Sequence, residues 1–386
     1  MRSILKLGVP VVAAALALAA CGGTSGGSDN AAGGSGDKKC DQKIGFFGAL
    51  TGDAANLGQN IQNGAKLAID KYNEANASCK VTLVPFDSQG DPAQAPGLAK
   101  KAIDDKSVIG IVGPAFSGES KAADPLFNEA GLVTVTASAT NPALADGGWK
   151  TFFRILGNDA TQGPAAAKYI QSVLNAKKVV VVDDASEYGK GLADQVKSTL
   201  GSSVVTTDTI QQKQTDFSPT VTKIRSSGAD AVFFGGYYAE AGLIKKQMAD
   251  AGVTATFVGA DGAKDDGFIT AAGAKAAEGS IVTCPCLPPD KAGGTFFEDY
   301  KKAFNSDPAT YGAEAYDAAT ILLDGIKSGI TDRAKMVAFV KSYDKPGVTK
   351  TLKFDDKGEP ANVTVWADPG VAARSTWCLA VQRLPC

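Results

Sequence analysis

The chain has 386 residues, of which 44% are hydrophobic and 21% charged, a composition that suits a folded protein with room for two domains and not a disordered one. A formal charge of −2 and an isoelectric point near 5.5 leave no basic footprint for nucleic acid. The sequence contains no histidine, so the usual general base near neutral pH and the commonest transition-metal ligand are missing, which excludes Ser-His-Asp, Cys-His and zinc-histidine mechanisms.

In chain order, residues 1–20 read as a signal peptide: Arg2 and Lys6 precede an apolar run from Leu7 to Ala20 that is too short to span a bilayer comfortably. Leu18-Ala19-Ala20-Cys21 resembles the lipobox of bacterial lipoproteins. The resemblance implies cleavage before Cys21 and a diacylglycerol on its thiol. Residues 21–42 then read as a tether. Gly22 to Lys39 is almost all Gly, Ser, Ala, Thr, Asn, Asp and Lys, a flexible coil with a reach of roughly 24 Å.

From Lys43 onward short apolar runs alternate with longer amphipathic ones. Strands are predicted at 44–50, 81–86, 108–112, 132–135, 179–182, 204–210, 231–234, 256–258 and 280–283, and helices at 59–73, 93–104, 118–128, 162–174, 189–200, 219–226 and 239–249. Repeated β-α order argues for parallel sheets covered by helices on both faces. The strands are too many for one modest domain, so two α/β lobes are expected. The run Val179–Val182 has the composition of a strand buried on both sides. In open sheets of this kind a ligand sits beyond the carboxyl ends of the strands, which makes the loops after each strand the informative ones.

Seven cysteines less a lipidated Cys21 leave six, an even number that suggests disulfides in an exported chain. Cys40 and Cys79 each stand just before one of the first two strands and are the favoured pair. Cys284-Pro285-Cys286 lacks the second close-spaced pair of a zinc site and is read as structural; no metal site is expected.

The loops carry no phosphate-binding glycine motif, so no nucleotide cofactor is expected. They carry small hydroxyls and tyrosines instead: Thr51, Ser117, Ser138, Thr140, Tyr188, Tyr237 and Tyr311. Hydroxyls beside backbone amides can hold a carboxylate, and a tyrosine offers an apolar face with one polar end. One acid, Asp261, follows the strand at 256–258 and can accept an ammonium. Each residue also has a plainer role, Ser117 as a helix cap and Asp261 as a solvated loop acid.

Taken together the blocks are more specific. Gly48-Ala-Leu-Thr-Gly52 with Gly58 and Gly64, Gly113 through Asn141-Pro142, Gln162-Gly-Pro-Ala-Ala-Ala-Lys-Tyr-Ile170, Glu187-Tyr-Gly-Lys-Gly-Leu192, Gly235-Gly-Tyr237, Val258-Gly-Ala-Asp-Gly262 and Phe354-Asp-Asp-Lys-Gly358 follow one another over most of the chain. In this the sequence resembles the leucine/isoleucine/valine-binding proteins of the type I periplasmic-binding-protein fold. The resemblance implies two Rossmann-like lobes joined by three crossover segments, with the ligand in the cleft between them. The crossovers are expected near 151–157, 283–288 and 346–353, giving one lobe of residues 43–155 plus 286–347 and another of 156–285 plus 348–386. A Cys284–Cys286 bridge would then stiffen the hinge.

By the same resemblance Ser117, the backbone of Ser138 and Ala139, and Thr140 hold the α-carboxylate and share the ammonium from the first lobe. Asp261 and Tyr237 meet the ammonium from the second, and Tyr188, Tyr311 and Leu57 line the side-chain pocket. The family often has an aromatic residue at Leu57, a glutamate at Asp261 and a small residue or cysteine at Phe116. The implied function is capture of a small amino acid, branched-chain aliphatic by first choice, by a monomeric lipoprotein outside the cytoplasmic membrane that delivers it to an ABC permease and its ATPases. It is not an enzyme. The departures leave an amide, urea-like or aromatic solute, or a sensor role, as the second reading.

Overall fold

A computed structural model describes residues 41–368 and the strand 379–384; the signal peptide, Cys21, most of the tether, Cys40, Cys378 and Cys386 lie outside the described residues. The first five strands, β1 (Lys43–Gly48), β2 (Thr82–Asp87), β3 (Val108–Val112), β4 (Val133–Thr136) and β5 (Phe152–Arg154), pair in parallel in the order β2-β1-β3-β4-β5. Between them run α1 (Ala55–Ala75), α2 (Ala95–Asp104) and α3 (Ser117–Glu129). Strand β3 is buried along its whole length, as a central strand covered on both faces must be.

The second sheet is built the same way. Its parallel strands are β6 (Val179–Asp183), β7 (Val204–Thr209), β8 (Ala231–Gly235), β9 (Thr256–Gly259) and β10 (Ile281–Cys284), ordered β10-β9-β8-β6-β7. Interleaved helices are α4 (Asp159–Ser172), α5 (Glu187–Leu200), α6 (Ser218–Ser227), α7 (Tyr238–Asp250), α8 (Asp266–Ala272) and α9 (Ala274–Ala277). The valine run at β6 is wholly buried, whereas the edge strand β7 alternates half-buried and exposed residues.

The sequence reading predicts no element after Thr283, yet three helices follow: α10 (Phe296–Phe304), α11 (Gly312–Lys327) and α12 (Arg333–Lys341). Helix α11 lies on α1 so closely that a Cβ on Gly64 would stand 2.0 Å from the carbonyl oxygen of Gly312. This approach, open only to glycine, brings the start of α11 to the mouth of the first lobe. A small antiparallel pair, β11 (Asp344–Pro346) and β12 (Thr351–Lys353), comes next, and β13 (Val363–Asp368) and β14 (Leu379–Leu384) add an antiparallel edge to the second sheet.

The chain therefore passes between the sheets after Arg154, after Cys284 and before Val363. The last crossing falls later than expected. Residues 344–360 stay with the first lobe: the amides of Val348 and Thr349 donate to Asp317 of α11, Phe354 packs on Phe153, and Arg154 donates its amide to the Gly358 carbonyl. Residues 348–360 thus belong to the first lobe and not to the second. Cys284 and Cys286 are joined, with Cα atoms 5.1 Å apart, where the second crossing leaves β10. Cys79 is also disulfide-bonded, while its expected partner Cys40 lies outside the described residues.

Candidate functional site

The first lobe contributes the loops after β3 and β4. Ser138 donates its hydroxyl to the Ala115 carbonyl at 2.6 Å, and Ser117 Oγ accepts from the Asn141 amide at 3.2 Å. Thr136 ties the loops together, donating to the Pro114 carbonyl and accepting from the amide of Ala139 at 3.0 Å and of Ser138 at 3.4 Å. Those two amides, assigned above to a carboxylate, are directed at Thr136 in this conformation. Helix α3 begins with the buried Glu119 carboxylate accepting the Phe116 amide at 3.2 Å and the Ser88 hydroxyl. The cap fixes the direction in which Phe116 and Ser117 leave the loop.

The second lobe contributes Tyr188 at the start of α5, Tyr237 just before α7, and Asp261 in the turn after β9. The Asp261 carboxylate accepts one hydroxyl on each oxygen, from Tyr188 at 2.5 Å and from Tyr311 at 2.6 Å. Tyr188 Oη also accepts the Gly262 amide at 2.9 Å. A Cβ on Gly262 would lie 2.8 Å from the Tyr188 ring, so only glycine lets that ring sit against the turn. Tyr311 comes from the first lobe, immediately before α11, with a left-handed φ of 69°. A bulky residue in that region costs about 1–3 kcal/mol; here the strained backbone carries the phenol across the cleft to Asp261.

These groups enclose a small cavity between the lobes, lined by Leu57, Ala115, Phe116, Ser117, Ser138, Tyr188, Tyr237, Asp261, Gly262 and Tyr311. The lobes are closed upon it. Phe116 meets Tyr237 edge-on with ring centroids 5.3 Å apart, Asn141 donates to the Glu187 carbonyl at 2.7 Å, Asn56 donates to Asp265 at 2.8 Å, and Lys121 pairs with Glu187 at 2.6 Å.

Seven of the nine expected residues line the cavity: Leu57, Ser117, Ser138, Tyr188, Tyr237, Asp261 and Tyr311. Ala139 and Thr140 are buried behind its wall. Phe116, noted above only as a departure from the family pattern, is a lining residue, and so are Ala115 and Gly262. Among the described residues no group of three acidic or cysteine side chains is arranged to hold a metal, and no helix is long and apolar enough to cross a membrane.

Burial dominates the electrostatics. It pushes the Asp261 carboxyl above the ordinary carboxylate range, against the two tyrosine hydroxyls that favour the ionised form. Burial and the neighbouring Asp261 together push Asp159, on the first turn of α4, well above that range. Arg154 is fully buried nearby, but its guanidinium is committed to the carbonyls of Ala139 (2.8 Å) and Asn141 (3.0 Å) and to both oxygens of Glu359. Sequence reasoning did not single out Arg154, Asp159 or Gln162. The only local signal is Asn158-Asp159, which reads as an ordinary helix start.

Residues 41–367 match the family model described as periplasmic binding protein. The leucine-, isoleucine-, valine-, threonine- and alanine-binding protein of Pseudomonas aeruginosa is 33% identical over 327 residues, covering 83% of this chain and 87% of that protein. A Leu/Ile/Val-binding protein of Rhizobium johnstonii is 36% identical over 304 residues, 77% of this chain and 82% of its own length. Among solved structures, the branched-chain amino acid transporter substrate binding protein LivJ of Streptococcus pneumoniae, in complex with isoleucine, superposes with a TM-score of 0.81 at 28% identity, covering 88% of this chain and 99% of that one. The chain belongs to the periplasmic binding protein family, among the leucine/isoleucine/valine-binding proteins of the type I fold.

Proposed function

We propose that the protein is the solute-capturing component of an ABC importer and that its ligand is a small zwitterionic amino acid, branched-chain aliphatic by first choice. The observation that carries this reading is the buried Asp261 carboxylate, gripped by two tyrosine hydroxyls from opposite lobes and facing Ser117 and Ser138 across a small cavity walled by Leu57, Phe116 and Tyr237. An acid at one end suits an ammonium, hydroxyls at the other suit a carboxylate, and the apolar wall suits a short side chain. The names of the relatives from Pseudomonas and Rhizobium, each a binder of leucine, isoleucine and valine, support the same ligand class.

In this reading the zwitterion docks on the first lobe and the second closes by rotation about the three crossings. Closure places Tyr311 of one lobe on Asp261 of the other, so the ammonium's acceptor is completed only when the cleft shuts. Charge-assisted hydrogen bonds contribute about 1.5–3 kcal/mol each and burial of an aliphatic side chain about as much. Discrimination between leucine, isoleucine and valine is shallow, because one methylene is worth only about 1–3 kcal/mol. The permease and ATPase subunits, lipid anchoring at Cys21 and a monomeric state belong to the same proposal.

A thermal-shift and calorimetric screen of the twenty amino acids, small amides and benzoate tests it. Leucine, isoleucine and valine are expected to bind most tightly. Saturable binding of an amide or an aromatic acid, with no response to any aliphatic amino acid, would refute the reading.

A further inference from the structure

Helix α1 of the first lobe begins without a cap of its own. Its N-cap position is Ala54, whose side chain accepts nothing, and its first turn carries no acid, although the first amides of a helix need acceptors and favour negative charge. The second lobe supplies both. The Asn56 amide donates to Tyr238 Oη at 3.4 Å, and Asn56 Nδ2 donates to Asp265 Oδ1 at 2.8 Å. The receiving surface is built within the second lobe. Asp265 Oδ1 also caps α8, accepting the Gly267 amide at 2.8 Å, and the Tyr238 ring lies so close to Gly267 that a Cβ there would stand 2.6 Å from it.

A second donor of the first lobe takes hold one residue earlier. Thr310 donates its hydroxyl to the Lys264 carbonyl at 2.5 Å, and the next residue, Tyr311, is the one whose hydroxyl reaches Asp261. Within the second lobe the Lys264 amide donates to the Asp261 carbonyl and the Asp265 amide to the Ala263 carbonyl, each at 3.0 Å. Residues 261–265 are therefore one hydrogen-bonded turn, gripped by the first lobe at 261, 264 and 265. Neither Asn56 nor Asp265 lines the cavity. Each stands within a few residues of one that does, Asn56 directly before Leu57 and Asp265 four residues after Asp261.

We propose that Asn56 is a positioning residue for capture: it latches α1 onto the turn 261–265 of the second lobe, and seating that turn sets Asp261 at the cavity. The latch differs from the Lys121–Glu187 pair, whose partners are both exposed, because its acceptor is a half-buried carboxylate, where a hydrogen bond is worth more. It forms only as the cleft shuts and lies outside the ligand, so it governs release and not arrival. It depends on capture by closure, whichever solute is captured.

The test is a double-mutant cycle of Asn56→Ala and Asp265→Ala in the mature protein, read by leucine titration, stopped-flow dissociation and ligand-free melting. Asn56→Ala should weaken leucine about threefold to tenfold, the worth of one hydrogen bond. The loss should lie in a faster dissociation rate, with the association rate and the ligand-free melting temperature nearly unchanged. Asp265→Ala should weaken leucine at least as much and should also lower the melting temperature, because α8 loses its cap. The double variant should bind leucine no more weakly than Asp265→Ala alone. An unchanged dissociation rate in Asn56→Ala, or additive losses in the double variant, would overturn the latch. If the wild type takes no leucine, the amino-acid reading falls and the latch is judged by small-angle scattering without ligand. Asn56→Ala should then be more extended than the wild type, and identical curves would overturn it.

Discussion

Two buried charged centres lie close together where the chain first crosses between the lobes, and they differ in completeness. Around Arg154 every guanidinium nitrogen has an acceptor: Glu359 takes two hydrogen bonds, Ala139 and Asn141 take one each, and the ring of Phe152 lies 5.3 Å from the guanidinium carbon. Around Asp261 and Asp159 there are two acids and three tyrosines, and the nearest buried cation, Arg154, gives its hydrogen bonds to Glu359 and two carbonyls. A protein tolerates a buried ion pair when its own residues complete it, and the Arg154 cluster is of that structural kind. In the proposed function the acidic cluster is completed by the ligand's ammonium, and that asymmetry separates a site from a scaffold.

The contrast breaks first at Arg154. Arg154→Ala would strand Glu359 and two carbonyls, and loss of one partner from a buried pair costs about 3–5 kcal/mol. We expect the melting temperature to fall by about 10 °C with or without ligand. Differential scanning calorimetry checks this, and a variant that melts normally but fails to bind would move Arg154 from scaffold to site.

The opposite pattern is expected at Asp261. Asp261→Ala should weaken leucine binding by about 3–5 kcal/mol and leave the ligand-free melting temperature nearly unchanged, because opening the cleft returns this carboxylate to water. Asp261→Asn should lose less, since an amide still accepts from a hydroxyl but brings no charge. Titration calorimetry and melting curves of both variants measure the two quantities, and unchanged affinity in Asp261→Ala would remove the acid from the ligand.

A smaller effect is expected at Glu119, the acid that caps α3. Burial raises its carboxyl to about 8, against the hydrogen bonds from Ser88 and the Phe116 amide that favour the charge. The folded pKa stands above the ordinary 4.5, so between roughly pH 4.5 and 8 the folded state binds more protons than the unfolded one. Stability therefore falls as pH rises through that window. Glu119→Gln should flatten the decline in melting temperature between pH 5 and 8, leaving a residue from Glu314, which burial raises to about 7. An unchanged pH profile would show that Glu119 does not titrate there.

The smallest effect belongs to the clasp at the cleft rim. Lys121 and Glu187 are both substantially exposed, and exposed pairs contribute about 0–1 kcal/mol. Lys121→Ala should change leucine affinity by no more than about fivefold, and less at high salt. A larger change in equilibrium titrations would mean that closure depends on the rim as much as on the acid.

Alternation of apolar runs with amphipathic stretches was enough to place every strand from β1 to β10 except the three-residue β5; strands buried on both faces, such as β3, β6 and β8, leave an uninterrupted apolar run that needs no tertiary context to read. The same pattern does not show that α10 to α12 fold back on the first lobe, or that residues 344–360 stay there, since those choices depend on Gly64 meeting Gly312 and on Asp317 collecting the amides of Val348 and Thr349. At the site, the loop positions of Ser117, Tyr188, Tyr237 and Asp261 were legible from chain order and family resemblance. Tertiary structure alone decided that Tyr311 reaches Asp261 from the opposite lobe, that Phe116 closes on Tyr237, and that Asp159, a plain helix-start acid in the sequence, is buried near Asp261. Periodicity records which side of an element faces the interior. Whether a buried charge finds its counterpart is fixed only when elements distant in sequence are brought together, so the scaffold could be read from the chain and the electrostatics of the cleft could not.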